Sequence, residues 1–290
     1  MVAKQIVFIT GASSPMMKEL ISKIPKSKYK IWGLSRSFNH LDKSINWLHG
    51  DLLDSETYKE VALTADIIIH AAGITHTKKS DEYRQVNHRG TVSLIDVLEK
   101  RSKVYFILIS SRTAGLDSGA YGESKLLAEQ ELRFHSDNWL ILRPAEVFGG
   151  DKSEGIDRVI QSSSQGGLQL CPIGMNSLMY PIYVKDLSEL MYEEIFVKKT
   201  RNEIITLSGN DGYSFVGLVR LIEKVTGRKT LILPIPRVVL KIFAKMTSFI
   251  PWDIPGFVPD QVARLYCYKE QGNASKDLLT LEQYLKSQMA

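Results

Sequence analysis

Tyr121 and Lys125 stand four residues apart in the run Tyr121-Gly122-Glu123-Ser124-Lys125, and Ser111 precedes them in Ser110-Ser111-Arg112-Thr113-Ala114-Gly115. On a helix, residues at i and i+4 share a face. The Lys125 ammonium can then lie beside the Tyr121 phenol, stabilise phenolate and lower a pKa that is about 10 when free. That makes Tyr121 a proton donor near neutral pH, with the Ser111 hydroxyl placed to hydrogen-bond the carbonyl that receives the proton. A Tyr-x-x-x-Lys pair alone occurs on many helices, so the weight comes from its setting. The apolar run Val104–Ile109 before it reads as a buried strand, and Leu126–Leu132 after it reads as helix.

The elements that must position these groups alternate regularly. Gln5–Thr10 reads as a strand ending at Gly11-Ala12-Ser13-Ser14-Pro15, and Met16–Ile24 has helical periodicity. Strand, tight turn and helix form the geometry that aims a helix N-terminus at a pyrophosphate. The turn is glycine-poor: Ser14 and Met17 stand where second and third glycines are usual. Pro15 suits the first helical position, and a Ser cap can supply a hydroxyl. Lys30–Leu34 is a second strand, ending at Ser35-Arg36-Ser37. An acidic residue here accepts from ribose hydroxyls and selects NAD, whereas a basic one favours the 2′-phosphate of NADP. Arg36 therefore favours NADP(H), with NAD(H) the alternative.

Further strands are expected over Asn46–Gly50, Ala65–Gly73 and Trp139–Pro144, with helical periodicity across Asp81–Lys100. Tyr180–Val184 is expected to return to the sheet before a helix over Lys185–Phe196, and Asn202–Ser208 is another candidate strand. This order predicts an α/β fold, a doubly wound parallel sheet of Rossmann type with a small, mainly helical C-terminal substrate lobe. The predicted dinucleotide-binding domain covers 1–165 with about 180–208. The lobe takes 166–179 and 209–290, with Gln161–Gly167 and Cys171–Gly174 read as loops and Leu233–Pro236 and Ile250–Trp252 as proline-containing connections.

With 290 residues the chain can bury a substantial core unaided. A net charge of +5 suits anionic ligands such as dinucleotides or sugar nucleotides, but the basic residues form no long block of the kind that binds nucleic acid. Cys171 and Cys267 have neither metal-ligand nor redox spacing, which fits passive thiols in a reducing compartment such as the cytoplasm. The N-terminus leads directly into a strand without a signal-peptide pattern, and no window is long and apolar enough to span a bilayer. Val238–Ile250, with Lys241 and Lys245 at helical spacing, is expected to be a helix packed inside the lobe, docking on a membrane surface being the alternative.

Taken together, the residues resemble the extended short-chain dehydrogenase/reductase superfamily, in particular the NAD-dependent epimerase/dehydratase family acting on nucleotide sugars. The carriers are Thr10-Gly11, Gly50-Asp51-Leu52, His70-Ala71-Ala72-Gly73, Val86-Asn87 with Gly90-Thr91, Ser110-Ser111, Tyr121 with Lys125, Arg143-Pro144 through Val147-Phe148-Gly149, and Val184 with Asp186. The resemblance implies that Tyr121 is the acid/base, that Lys125 holds the nicotinamide ribose, and that Ser111 binds the substrate carbonyl or hydroxyl. It places Gly11, Ser13, Ser14, Pro15 and Met16 at the pyrophosphate turn and Asp51 and Leu52 at the adenine. Ala71, Ala72, Gly73, Pro144 and Val147 would line the cofactor, with Asn87 supporting the catalytic helix and Arg112 and Glu146 facing substrate. A homodimer built from the helices around Asp81–Lys100 and Tyr121–Phe134 is also implied. The later Gly174-Met175-Asn176-Ser177 and Leu233–Pro236, together with Ile74-Thr75-His76 and Tyr83–Asn87, are similar to enzymes that reduce or epimerise C4 of sugar nucleotides in surface-polysaccharide assembly.

Four features depart from that pattern: the glycine-poor turn, Glu146 in place of a substrate-contacting Asn, Met179 near the usual diphosphate Arg, and only five residues between Gly115 and Tyr121. The short loop leads one to expect a more open site. The lost positive charge has Arg112, Arg143, Arg158 and Arg264 as candidate replacements, since a diphosphate needs basic partners. Three functions compete. The first is NADP(H)-dependent reduction of a 4-keto sugar nucleotide. The second is 4-epimerisation with tightly held NAD, and the third is a non-catalytic, cofactor-sensing role on the same fold.

Overall fold

Short runs of Ile, Val, Leu and Phe bounded by Gly, Ser and Asp make buried parallel strands, because helices cover both sheet faces and no polar face is needed. A computed structural model of the protein describes residues 3–37, 42–98, 103–150, 155–247, 259–272 and 278–289. The N-terminal half runs β1 (Gln5–Thr10), α1 (Pro15–Lys23), β2 (Tyr29–Ser35), β3 (Asn46–His49), α2 (Lys59–Thr64), β4 (Ile67–His70), α3 (Ser80–Tyr83), a π-helical turn (Arg84–Arg89), α4 (Gly90–Leu98), β5 (Tyr105–Ile109), α5 (Gly119–His135), β6 (Trp139–Pro144) and β7 (Val147–Phe148). It is followed by α6 (Gly155–Ser164), β8 (Gly167–Ile173), β9 (Ile182–Tyr183), α7 (Val184–Tyr192), a second π-helical turn (Glu193–Lys198), β10 (Glu203–Leu207), α8 (Phe215–Thr226), β11 (Thr230–Pro236), α9 (Arg237–Thr247), α10 (Asp260–Tyr266) and α11 (Leu281–Ser287).

Seven strands form one parallel sheet in the order β10-β6-β5-β4-β1-β2-β3. Strand order reverses between β1 and β4, so the crevice at their C-terminal ends is the place where such folds take ligands. One apolar core lies on each face of the sheet: Val7, Ile9, Met17, Leu20 and Leu187 on one side, Phe8, Ile68, Leu94, Phe106 and Leu132 on the other. Met17, which stands where a third glycine is usual, is fully buried in the first of these cores. A third, smaller core joins Phe148, Ile160, Met179, Leu218 and Leu281.

Three expectations are corrected here. Tyr180–Val184 does not return to the main sheet; Ile182 and Tyr183 pair with Val147 and Phe148 in a separate two-stranded ladder. Of the loop readings, Gln161–Ser164 is the end of α6, and Gly167 and Cys171–Ile173 belong to β8, which pairs with β11 across Leu233–Pro236 in a parallel ribbon. Proline is tolerated there because, among the described residues, each strand has one neighbour and leaves its other edge unpaired. The helix over Asp81–Lys100 is broken by the π-helical turn, where Asn87 turns inward, and residues 99 and 100 lie outside the described residues. So do 248–250 of the Val238–Ile250 helix and the Ile250–Trp252 connection.

His70 ties three elements together. Ala72 N–H donates to Thr10 Oγ1 (3.2 Å), which bonds His70 Nδ1 (2.6 Å). On the other side His70 Nε2 meets Thr91 Oγ1 (3.0 Å), and Thr91 donates to the Asn87 carbonyl (2.7 Å). Thr91 has spent its proton, so His70 Nε2 carries the hydrogen and Nδ1 accepts: the ring is neutral. Burial, with help from Lys125, pushes its pKa down to about 3. The unfolded chain therefore takes up a proton that the folded protein refuses, and stability present above about pH 6.5 is lost progressively as pH falls from there towards 3. The urea midpoint should drop across that window, and His70→Gln should flatten the slope; a midpoint independent of pH between 7 and 4 would contradict the assignment.

Candidate functional site

The site is built on α5 and the end of β5. Four-residue spacing turns Tyr121, Lys125 and Glu129 to one buried face of α5, against the strand end that carries Ser110 and Ser111. Ser111 lies beside Tyr121, and its Oγ is 2.9 Å from Thr113 Oγ1. Lys125 Nζ donates to the Ile109 carbonyl (3.0 Å), and a Cβ on Gly73 would lie 3.4 Å from that nitrogen. Asn87 braces the helix: its amide accepts from Ile74 N (2.8 Å) and donates to Ile74 O and Ser124 Oγ, each 3.1 Å.

The electrostatics differ from the sequence expectation. Tyr121 is only 8% exposed, and burial raises its pKa above the ordinary tyrosine value. The Arg264 guanidinium sits 4.1 Å from the Tyr121 ring centre and acts against that rise, as does Ser111. Lys125 is itself pushed down to about 8 by burial, with Glu129 opposing. Arg264 is held by Asp260 (2.7 Å), the Thr75 carbonyl (2.7 Å) and Tyr83 Oη (2.7 Å).

This also reverses the open-site expectation. The short loop is covered by α10: a Cβ on Gly119 would collide with Asp260 Oδ1 at 2.4 Å and Ala263 Cβ at 3.0 Å. A groove of about 760 Å³ runs between the start of α5 and α9 and α10, lined by Gly119, Glu123, Arg237 and Tyr266, and Tyr121 is not part of its wall.

The turn after β1 lies against the segment that follows β4. Gly11 has φ +66°, and a Cβ there would lie 2.7 Å from Ala72 N and 2.8 Å from Ala71 C, so only glycine passes. Ser14 caps α1, its Oγ accepting from Met17 N (3.4 Å), and Pro15 opens the helix while Met16 packs on the core beneath. Ser13 is exposed beside them. At the far end Arg36, 78% exposed, lies 4.0 Å from Asp51 Oδ2. Leu52 turns its side chain inward against Gly90, so only its backbone faces the crevice end. Ala71, Ala72 and Gly73 follow β4, and Pro144 and Val147 lie in β6 and β7.

Residues 7–193 match the NAD dependent epimerase/dehydratase family. The chain belongs to that family. It is 24% identical to a ceramide reductase of Caulobacter vibrioides, over 81% of this chain and 74% of the relative. Its fold is similar to that of a UDP-glucose 4-epimerase from Thermotoga maritima solved with UDP-glucose (TM-score 0.72, 15% identity, 97% of this chain and 96% of that one). It is also similar to a dTDP-4-dehydrorhamnose reductase from Bacillus anthracis in complex with NADP (TM-score 0.64, 16% identity, 91% and 99%).

Within this epimerase/dehydratase frame the structure sorts the candidate arginines. Arg143 is committed to Glu129, with Nε to Oε1 at 2.9 Å and Nη2 to Oε2 at 2.5 Å. Arg158 is exposed on α6. Arg112 is buried next to Ser111, bonding Glu146 (3.2 Å) and the Leu178 carbonyl (2.8 Å), with its Nε unpartnered. Glu146 also takes Lys269 Nζ (3.4 Å) and Tyr180 N (3.1 Å). Burial pushes the Glu146 carboxyl up, but Lys269 and Arg112 outweigh it and hold the pKa below its usual value. Met179, near the usual diphosphate Arg, is buried in the third core.

Sequence reasoning passed over Glu129, Asp260, Tyr83 and Lys269. For Glu129 a signal existed, one more step of the four-residue spacing that joins Tyr121 to Lys125; the others approach from far along the chain. Glu146→Gln leaves two buried cations with no carboxylate between them, and breaking such a pair costs about 3 kcal/mol. The variant should melt several degrees lower in a calorimetric scan, whereas a melting temperature within a degree of the parent would show that the triad is not structural.

Proposed function

We propose that the protein is an NADP(H)-dependent reductase of a keto sugar nucleotide, with Ser111, Tyr121 and Lys125 as its catalytic set. The observation that carries this reading is a buried phenol beside Ser111, one helical turn from a buried ammonium. A tyrosine held above its ordinary pKa keeps its proton at physiological pH, as a proton donor must. Ser111 Oγ aligns the keto oxygen, and the Tyr121 hydroxyl passes its proton to that oxygen as the carbonyl becomes an alcohol. A nicotinamide bound in the crevice would supply the hydride.

Gly11, Ser13 and the N-terminus of α1 would hold the pyrophosphate, Lys125 the ribose beside the nicotinamide, and Arg36 the 2′-phosphate. Asp51, close to Arg36, would position the guanidinium. The third core, with α10 above Tyr121, would present the sugar nucleotide. A 4-epimerase would use the same three residues, but an exposed Arg36 at the end of β2 supports the exchangeable phosphorylated cofactor over a permanently held NAD.

Tyr121→Phe should cut turnover at least a thousandfold while leaving NADPH affinity within about twofold, measured by fluorescence titration. Substantial remaining activity would remove Tyr121 from the mechanism. Arg36→Asp should weaken NADPH binding by about tenfold or more and leave NADH nearly unchanged. An equal effect on both cofactors would remove the 2′-phosphate role. Because Lys125 loses its charge as pH rises through about 8, kcat/KM should fall above that pH, and Lys125→Arg should move the falling limb upward. A profile flat to pH 10 would release Lys125 from that role.

A further inference from the structure

A helix in a soluble protein ordinarily turns its apolar stripe inward, and α9 does the reverse. Val238 (66% exposed), Val239 (51%), Ile242 (56%), Phe243 (43%) and Met246 (63%) all face outward. At about 100° per residue they fill a continuous arc of about 140°. Leu240 and Ala244 are half-buried and Thr247 is buried, so the helix rests on its neighbours by a different side. The expectation that this helix packs within the lobe is thereby corrected.

Charge says what the face fits. Arg237, Lys241 and Lys245 flank the apolar arc on one side, Arg237 over the Tyr266 ring and, with Lys241, lining the groove that also holds Asp117 and Glu123. No Asp or Glu occurs in the sequence from Lys224 to Thr247, a stretch that also holds Arg228 and Lys229. The adjoining ribbon adds apolar surface: Leu231 pairs with Leu168 and Leu233 with Leu170, and all four are exposed. A second copy meeting this face about a two-fold axis would bring two basic rows together, which is unfavourable. Eleven residues of helix reach only about 16 Å, half a bilayer core, and among the described residues no helix is long and apolar enough to cross one. Apolar side chains beside a basic row, on a helix lying flat, suit the boundary between lipid headgroups and acyl chains.

We propose that α9 is an interfacial helix through which the protein docks, peripherally and reversibly, on membranes containing anionic lipid. The docking is independent of turnover and of the substrate assigned above. It is tested with the full chain by flotation on phosphatidylcholine vesicles with and without phosphatidylglycerol. The protein should float only with the anionic vesicles and be released by high salt. Lys241→Gln with Lys245→Gln should weaken binding roughly thirtyfold, at about tenfold or less per basic residue near the surface. Ile242→Asp, at an exposed position, should abolish flotation with an unchanged melting temperature. Failure to float on anionic vesicles, or binding that both variants leave intact, would overturn the proposal. So would a dimer in sedimentation velocity that Ile242→Asp dissolves, because it would give the face to a second copy.

Discussion

A buried carboxylate governs this structure. Glu129 is 2% exposed, and Ser110 donates to it at 2.5 Å, Arg143 grips both its oxygens, and the Lys125 ammonium lies one turn away on the same helix. Each of these groups is costly to bury without the others. Lys125 already sits near pKa 8; with Glu129 removed, nothing would oppose the burial that depresses it further. Glu129 also joins the ends of β5 and β6 to α5, because Ser110 follows one strand and Arg143 belongs to the other. The position of Tyr121 over the sheet edge is thus fixed by an ion cluster two helical turns behind it.

The parts of this arrangement that could be read from the chain are those encoded by local spacing. Strand, turn and helix alternation gave the main sheet, since buried parallel strands are short apolar runs at regular intervals, and the i,i+4 rule placed Tyr121 and Lys125 on one face. Gly11 was legible for a similar reason: only a residue without a side chain survives 2.7 Å from a neighbouring backbone nitrogen. The ribbon of β8 and β11 was illegible because its strands are some sixty residues apart in sequence and contain Pro172, Pro234 and Pro236, which argue locally against any strand. The short β9 was misassigned because two residues pair equally well with any exposed partner, and β7 is nearer than the sheet.

The same contrast separates the two cations beside Tyr121. Spacing pointed to Lys125, whereas the guanidinium against the ring comes from Arg264, more than a hundred residues later. No periodicity reveals such a contact. Its consequence is physical as well as topological: with α10 seated on Gly119, the loop of five residues between Gly115 and Tyr121 needs no extra length to shield the phenol. A shortened loop and a closed site are therefore compatible, the cover being supplied in space by a distant helix.

Charge balance around Ser111, Tyr121 and Lys125 then bears on the ligand. Among the described residues, Lys125, Arg143, Arg264, Arg112 and Lys269 lie in this region with the carboxylates of Glu129, Asp260, Glu146 and Glu270. Five cations face four anions, and His70 contributes nothing because it is neutral. An excess of positive charge in a poorly hydrated region is relieved when an anion enters. Where the resemblance places a diphosphate arginine stands Met179, buried in the third core, so positive charge near the site comes from other residues. That charge is spread over residues already tied to carboxylates. Such a site would hold an anionic ligand by its summed field more than by a single bidentate clamp.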